Sequence, residues 1–155
     1  MEFEHVLVVG AGQMGAGIAQ VAAASGRRVS LYDAAPGAVD RGLAAMRKSL
    51  ERLAEKGGAD PDEVLGRVQP VDDLVPADLM IEAVIEDASV KEDVFRRADA
   101  TLPPEAVLGS NTSSIPITSL AAVTRRPEAA TTCAMPPPIW PAPTTRTCSK
   151  STAGG

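Results

Sequence analysis

Along the chain, short unbroken apolar runs take turns with longer stretches of helical period. HVLVV (5–9) is a β-branched run closed by glycine, which predicts a strand buried on both faces. Beyond it the pattern changes to threes and fours: Met14, Ile18, Val21 and Ala22 mark one face of a helix over 14–25, with Gly26 as its C-terminal stop. RVSLY (28–32) predicts a second strand that halts at Asp33, so residues 1–33 form one β-α-β unit.

The alternation then continues. Val39, Leu43, Met46, Leu50 and Leu53 predict a long amphipathic helix between Pro36 and Lys56, ended by GGADP (57–61). Residues 64–71 read as a short helix or loop entering a third strand, and 77–84 as a fourth strand. A helix over 88–102 should turn Val90, Val94, Phe95 and Ala98 inward, ahead of a strand at 106–110 and a polar loop. Strands alternating with helices imply an α/β fold with a doubly wound, mostly parallel sheet. After Glu128 the pattern breaks. Residues 129–155 carry five prolines and six threonines without amphipathic period, so the expected division is a domain over 1–128 and a disordered Pro/Thr-rich tail over 129–155.

Composition narrows the partners. The chain has 155 residues, enough for one domain, and a net charge of −5 with acids and bases interspersed. Lacking a basic stripe to neutralise phosphates, it is not expected to bind nucleic acid. No apolar run reaches the length of a membrane span and MEFEH is acidic where a signal peptide is basic, so a cytoplasmic protein without membrane contact is expected. Cys133 and Cys148 have no partner pattern and read as free thiols, and no metal site is expected.

The chemistry concentrates at Gly10-x-Gly12-x-x-Gly15. The first glycine serves a tight turn, the second lets a pyrophosphate approach the backbone, and the third lets helix and strand pack closely. The helix from about Gln13 then aims free N–H groups and its positive end at the phosphates. Asp33, at the end of the second strand, suits the adenosine ribose hydroxyls and repels a 2′-phosphate, which favours NAD over NADP. The fold is therefore Rossmann-like. Asn111-Thr-Ser-Ser114 brings an amide and hydroxyls to another carboxyl strand end, whereas Glu82, Glu86 and Lys91 by themselves read as solvated charges beside a strand.

Three stretches, VVGAGQMGAGIAQVAAASGRRVSLYD, IEAVIEDASVKEDVF and LGSNTSSIPITSLA, resemble in this order the N-terminal domain of 3-hydroxyacyl-CoA dehydrogenases of the 3-hydroxybutyryl-CoA type, from about residue 4 to 128. The resemblance implies NAD-dependent oxidation of the 3-hydroxyl of an acyl-CoA to the 3-keto product, and a homodimer. It places Gly10, Ala11, Gly12, Gln13, Met14 and Gly15 on the pyrophosphate, Asp33 on the adenosine ribose, and Glu86 and Lys91 at the cofactor's other end. Ser49 and Lys56 would contact coenzyme A. Ser113 would be the active-site serine, with Asn111 beside it toward the substrate.

The family also has a His-Phe-x-Asn-Pro stretch whose histidine is the general base, followed by a glutamate that orients it. Here its place falls at Ala134, no histidine follows His5 and no acid follows Glu128. The expectation is a truncated or frameshifted copy, without the family's helical C-terminal domain and impaired in catalysis. A catalytically silent NAD-binding module is the alternative, and a dehydrogenase of the 3-hydroxyisobutyrate type shares only the glycine fingerprint.

Overall fold

The computed structural model describes residues 3–132. Strand β1 (His5–Val9) lies inside a six-stranded sheet. Its alternate side chains feed two separate cores: Val6 and Val8 join one, Leu7 and Val9 the other, and all four are buried. A strand covered on both faces needs no polar side, which is why HVLVV is an unbroken run.

Helix α1 (Gln13–Ala24) is followed by β2 (Arg28–Tyr32), α2 (Ala38–Ala54), α3 (Pro61–Leu65) and β3 (Val68–Pro70). The chain then crosses to the other side of β1 and builds β4 (Leu79–Glu82), α4 (Ala88–Thr101), β5 (Val107–Ser110), α5 (Ile117–Ala121) and β6 (Ala130–Thr132). In space the order is β3-β2-β1-β4-β5-β6, with every pairing parallel. Helices α1, α2 and α3 pack on one face, α4 and α5 on the other. This is the doubly wound α/β sheet that the alternation implies. The winding reverses between β1 and β4, so the segments leaving these neighbours run to opposite faces and a crevice opens at their carboxyl ends.

The inward face of α1 only partly matches the one hydropathy suggests: Ile18 and Ala22 pack against the core, half-buried, but Met14 and Val21 do not. Gly15, Ala16, Ala19 and Ala23 are buried, while Met14 is 43% and Val21 70% exposed. The reason is the distance at which the start of the helix lies. A Cβ built on Gly15 would stand 1.7 Å from the Gly10 carbonyl oxygen, so no side chain fits at that point of contact. Gly10 itself has φ +106°, and a Cβ there would meet the Ala83 carbonyl oxygen at 2.5 Å.

Two other expected core residues lie outside. Leu53 is 47% exposed, lying past Leu50, the last buried residue of α2. Val90 is 37% exposed, and the inward row of α4 runs Lys91, Val94, Phe95, Ala98. The lysine holds that place because its charge is paired inside.

Strand β6 lies past the boundary expected at 128. It pairs with β5 in the register Leu108 to Ala130 and Ser110 to Thr132. Just before it, the buried Arg126 donates to the Asp99 carboxylate at 2.7 Å and to the Asp99 and Leu102 carbonyls at 2.8 and 3.1 Å, tying the end of α4 to the run into β6. The rest of the expected tail, with Cys133 and Cys148, lies outside the described residues. Among the described residues no helix is long and apolar enough to cross a membrane.

Two glycines on α1, two residues apart and on opposite faces of the helix, should respond in opposite directions. Gly15→Ala forces backbone apart and is expected to lower the urea-unfolding free energy by at least ~2 kcal/mol. At Gly17 a Cβ meets nothing within 4 Å, and Gly17→Ala should raise that free energy by about 0.5–1 kcal/mol through the helix preference for alanine.

Candidate functional site

The crevice is built first from the turn between β1 and α1. Gly12 is the N-cap of α1, no side chain caps that end, and the first turn holds no acid. The first bond back into the helix runs from the Ala16 N–H to the Gly12 carbonyl at 2.8 Å, which leaves the N–H groups of Gln13, Met14 and Gly15 without helical acceptors. By contrast α4 has its N-terminus closed by the Asp87 carboxylate, which accepts from the amides of Ser89 and Val90. The open end of α1 therefore suits an anionic ligand. Space is there as well: nothing lies within 4 Å of a Cβ built on Gly12. The missing β-carbon leaves the backbone there open to the approach of an anionic group.

Asp33 stands at the end of β2 beside this turn. Its Oδ2 accepts from the Ala11 N–H at 2.7 Å and its Oδ1 from the Ala35 N–H at 2.8 Å, so the carboxylate is held in place with acceptor capacity to spare. Ala11 itself is buried, and its amide serves Asp33. An open groove of about 540 Å³ runs from here between α1 and α2, lined by Gly12, Gln13, Asp33, Arg41 and Ser49 among others. Gly42 lets α2 come this close, since a Cβ there would stand 2.8 Å from the Ala11 carbonyl oxygen. That glycine is a structural part of the site that periodicity passes over; its only sequence signal is an isolated glycine inside a helical pattern. Ser49 lines the same groove as the glycine turn, further along α2. Lys56 is exposed beyond the end of α2 and is not among the groove's lining residues.

On the other side of the crevice, β4 and β5 end in loops joined by charge. Glu82, the last residue of β4, is fully buried. Its Oε1 accepts from the Lys91 ammonium at 2.7 Å and from the Val84 N–H at 2.6 Å, and its Oε2 accepts from the Ser110 hydroxyl at 2.6 Å. The Lys91 Nζ also lies 3.3 Å from Glu86 Oε2. Glu86 in turn accepts from the Thr112 hydroxyl and, at 2.6 Å, from the Ser114 hydroxyl. Those two bonds, with the Lys91 charge behind them, pull the Glu86 carboxyl from 4.5 down to about 2. Ser113, between the two anchored residues, is exposed. Asn111 is half-buried and donates its N–H to the Glu82 carbonyl at 2.8 Å.

Four of the expected residues, Glu86, Lys91, Asn111 and Ser113, are therefore gathered at one end of the crevice. Lys91 sits beneath it with 1% of its side chain exposed, so its charge reaches the crevice through Glu86. Glu82 organises this end although it reads as a solvated charge in the sequence. The signal for it is an acid closing an otherwise apolar run, LMIE, in a strand covered on both faces. Among the described residues no three His, Cys, Asp or Glu side chains converge to hold a metal.

Comparison with known proteins agrees with this geometry. The sequence model for "3-hydroxyacyl-CoA dehydrogenase, NAD binding domain" matches residues 5–143, past the boundary expected at 128. A Bacillus subtilis protein described as a probable 3-hydroxybutyryl-CoA dehydrogenase is 45% identical over 134 residues, covering 83% of this chain and 47% of that protein. Among solved structures, Mycobacterium tuberculosis FadB2 superposes with a TM-score of 0.81 at 40% identity, covering 85% of this chain and 49% of the other. The (S)-3-hydroxybutyryl-CoA dehydrogenase of Ralstonia eutropha gives 0.79 at 34% identity, with 84% and 48% covered. The chain spans about half the length of these relatives.

Two outcomes follow from the site. Gly12→Ala should lower the unfolding free energy by no more than about 1 kcal/mol, the cost of alanine at an N-cap, since no protein atom lies within 4 Å of the added Cβ. It should weaken NADH binding by about tenfold or more in a fluorescence titration if the pyrophosphate takes that space. Glu86 holds off its proton to about pH 2 in the folded chain, so its stabilising effect is complete above the ordinary value of 4.5 and is lost as pH falls from there toward 2. Urea midpoints of the parent and Glu86→Gln should consequently differ more at pH 6 than at pH 3.

Proposed function

The chain belongs to the 3-hydroxyacyl-CoA dehydrogenase family by its NAD-binding domain, and we propose that it serves NAD-dependent oxidation of a 3-hydroxyacyl-CoA of the 3-hydroxybutyryl type. The observation that carries this reading is the single crevice onto which an uncapped helix end, a fixed ribose-type carboxylate and a hydroxyl-bearing loop all open. A dinucleotide is long enough to need all three.

In this reading the amides of Gln13, Met14 and Gly15 meet the pyrophosphate. Asp33 accepts hydrogen bonds from the ribose hydroxyls and disfavours a 2′-phosphate by charge. When bound, NAD supplies the acceptor for the hydride that leaves the substrate carbon. Ser113 hydrogen-bonds the substrate oxygen and Asn111 helps to orient it. Glu86 keeps the Ser113 loop in place and stays ionised at all but the most acid pH. Ser49, on the wall of the groove, is placed to meet the coenzyme A portion, with Lys56 further along the same helix axis by about 10 Å.

Loss of hydride must be matched by loss of the hydroxyl proton. The one histidine in the 155 residues, His5, begins β1 at the amino end of the sheet, and its Nε2 lies 2.9 Å from Ser30 Oγ. Strand β1 separates it from the crevice by roughly 13 Å or more. His5 is thus not the base. A silent NAD-binding role is the second reading that this observation favours.

A fluorescence titration with NADH should saturate, and NADPH should bind at least roughly tenfold more weakly if the Asp33 charge excludes the extra phosphate. NADH absorbance with acetoacetyl-CoA should then fall no faster than background. Failure to bind NADH would overturn the NAD reading. Robust turnover would instead remove the silent one and require a proton acceptor other than His5.

A further inference from the structure

The end of β4 contains a charge that no ligand role requires. Glu82 is completely buried, yet it lies beneath the crevice and faces no open groove. Its carboxylate is saturated from three directions: the Lys91 ammonium from α4, the Val84 amide from the loop after β4, and the Ser110 hydroxyl from the last residue of β5. Its carbonyl receives the Asn111 N–H. Each partner begins or supports a segment that borders the crevice.

We propose that Glu82 is a positioning residue that sets the Asn111–Ser114 loop and Glu86 in register with one another, acting through Ser110 and Lys91. Oε2 fixes the point at which the chain leaves β5, immediately before Asn111. Oε1 holds the Lys91 ammonium between the two carboxylates, 2.7 Å from Glu82 and 3.3 Å from Glu86. Glu86 can then take the hydroxyls of Thr112 and Ser114 on either side of Ser113. Thr112 in turn accepts from the Ile115 N–H at 3.0 Å, which closes the loop on itself. The order of dependence runs from Glu82 to Lys91 to Glu86 to the Ser113 loop. Without the negative charge of Glu82, Lys91 has one carboxylate partner and a reason to move toward it.

A residue that only stabilised the sheet would loosen it everywhere when changed. A positioning residue loosens one loop. The test is therefore amide hydrogen exchange, read residue by residue on the full chain in Glu82→Gln and in the milder Ser110→Ala, which removes one bond to the same carboxylate. Ser30→Ala is the control, being a buried serine that also loses a side-chain bond, to His5. The expected result is exchange at Ser114 and Ile115 faster by about tenfold in both variants, with β1 and β2 amides unchanged. NADH affinity should fall roughly threefold to tenfold in both and stay within about twofold of the parent in Ser30→Ala.

Exchange that rises uniformly over the sheet in Ser110→Ala, or that leaves Ser114 and Ile115 as protected as in the parent, overturns the proposal. Should Glu82→Gln fail to fold, Ser110→Ala decides alone. The affinity arm rests on the NAD reading given above, whereas the exchange arm does not. Absence of NADH binding by the parent would overturn that reading, and the loop amides would still decide the role of Glu82.

Discussion

Everything at the carboxyl edge of this sheet depends on two stretches of backbone meeting without side chains between them. Helix α1 rests on the turn after β1, with Gly15 against the Gly10 carbonyl, and Gly10 rests against Ala83, the first residue after the neighbouring strand β4. This contact sets the helix height, and the fully buried residues of α1 are all alanine or glycine. It also directs the open N-terminus of α1 at the crevice. A larger residue at either contact would lift the helix and turn its free N–H groups away from the place where Asp33 and the bare Gly12 await a ligand. Close packing here is thus the means by which an anion site is aimed.

A second constraint works across the crevice, through charge rather than size. Taking Glu82 and Lys91 out of water costs several kcal/mol per ion, and their attraction offsets this only because each has further hydrogen bonds. The exposed pairs Arg47 with Asp62 and Arg96 with Glu92 carry no such cost and contribute little. The two kinds of ion pair therefore do different work. The surface ones decorate helices, whereas the buried one joins the ends of β4 and β5 so that their loops share a geometry. Arg126 plays a comparable part lower in the fold, where its guanidinium ties α4 to the entry of β6.

Placing these arrangements together explains the division of the molecule. The half with α1, α2 and α3 holds the glycine turn and Asp33, both shaped by backbone contact. The half with α4 and α5 holds Glu86, Asn111 and Ser113, shaped by a buried ion pair. The ligand site belongs to neither half and exists at their boundary, where the winding reverses.

The order of strands and long helices as far as β5, the parallel doubly wound sheet, the glycine turn and the acid at Asp33 are legible in the amino-acid sequence itself, whereas the short helix α5 is read there as loop. Each is displayed by a short stretch of chain, because period and turn chemistry are local properties of the backbone. The inward face of α1 is only partly legible: hydropathy ranks Met14 and Val21 above Gly15 and Ala19, while the contact with Gly10 selects by size. Strand β6 carries only Ala130–Thr132, too short to show a period, and owes its strand form to β5 beside it. Glu82 reads as solvated because its partners stand 9 and 28 residues away, on a helix and on another strand. Size selection and charge pairing depend on which segments become neighbours, and only the folded sheet makes them so.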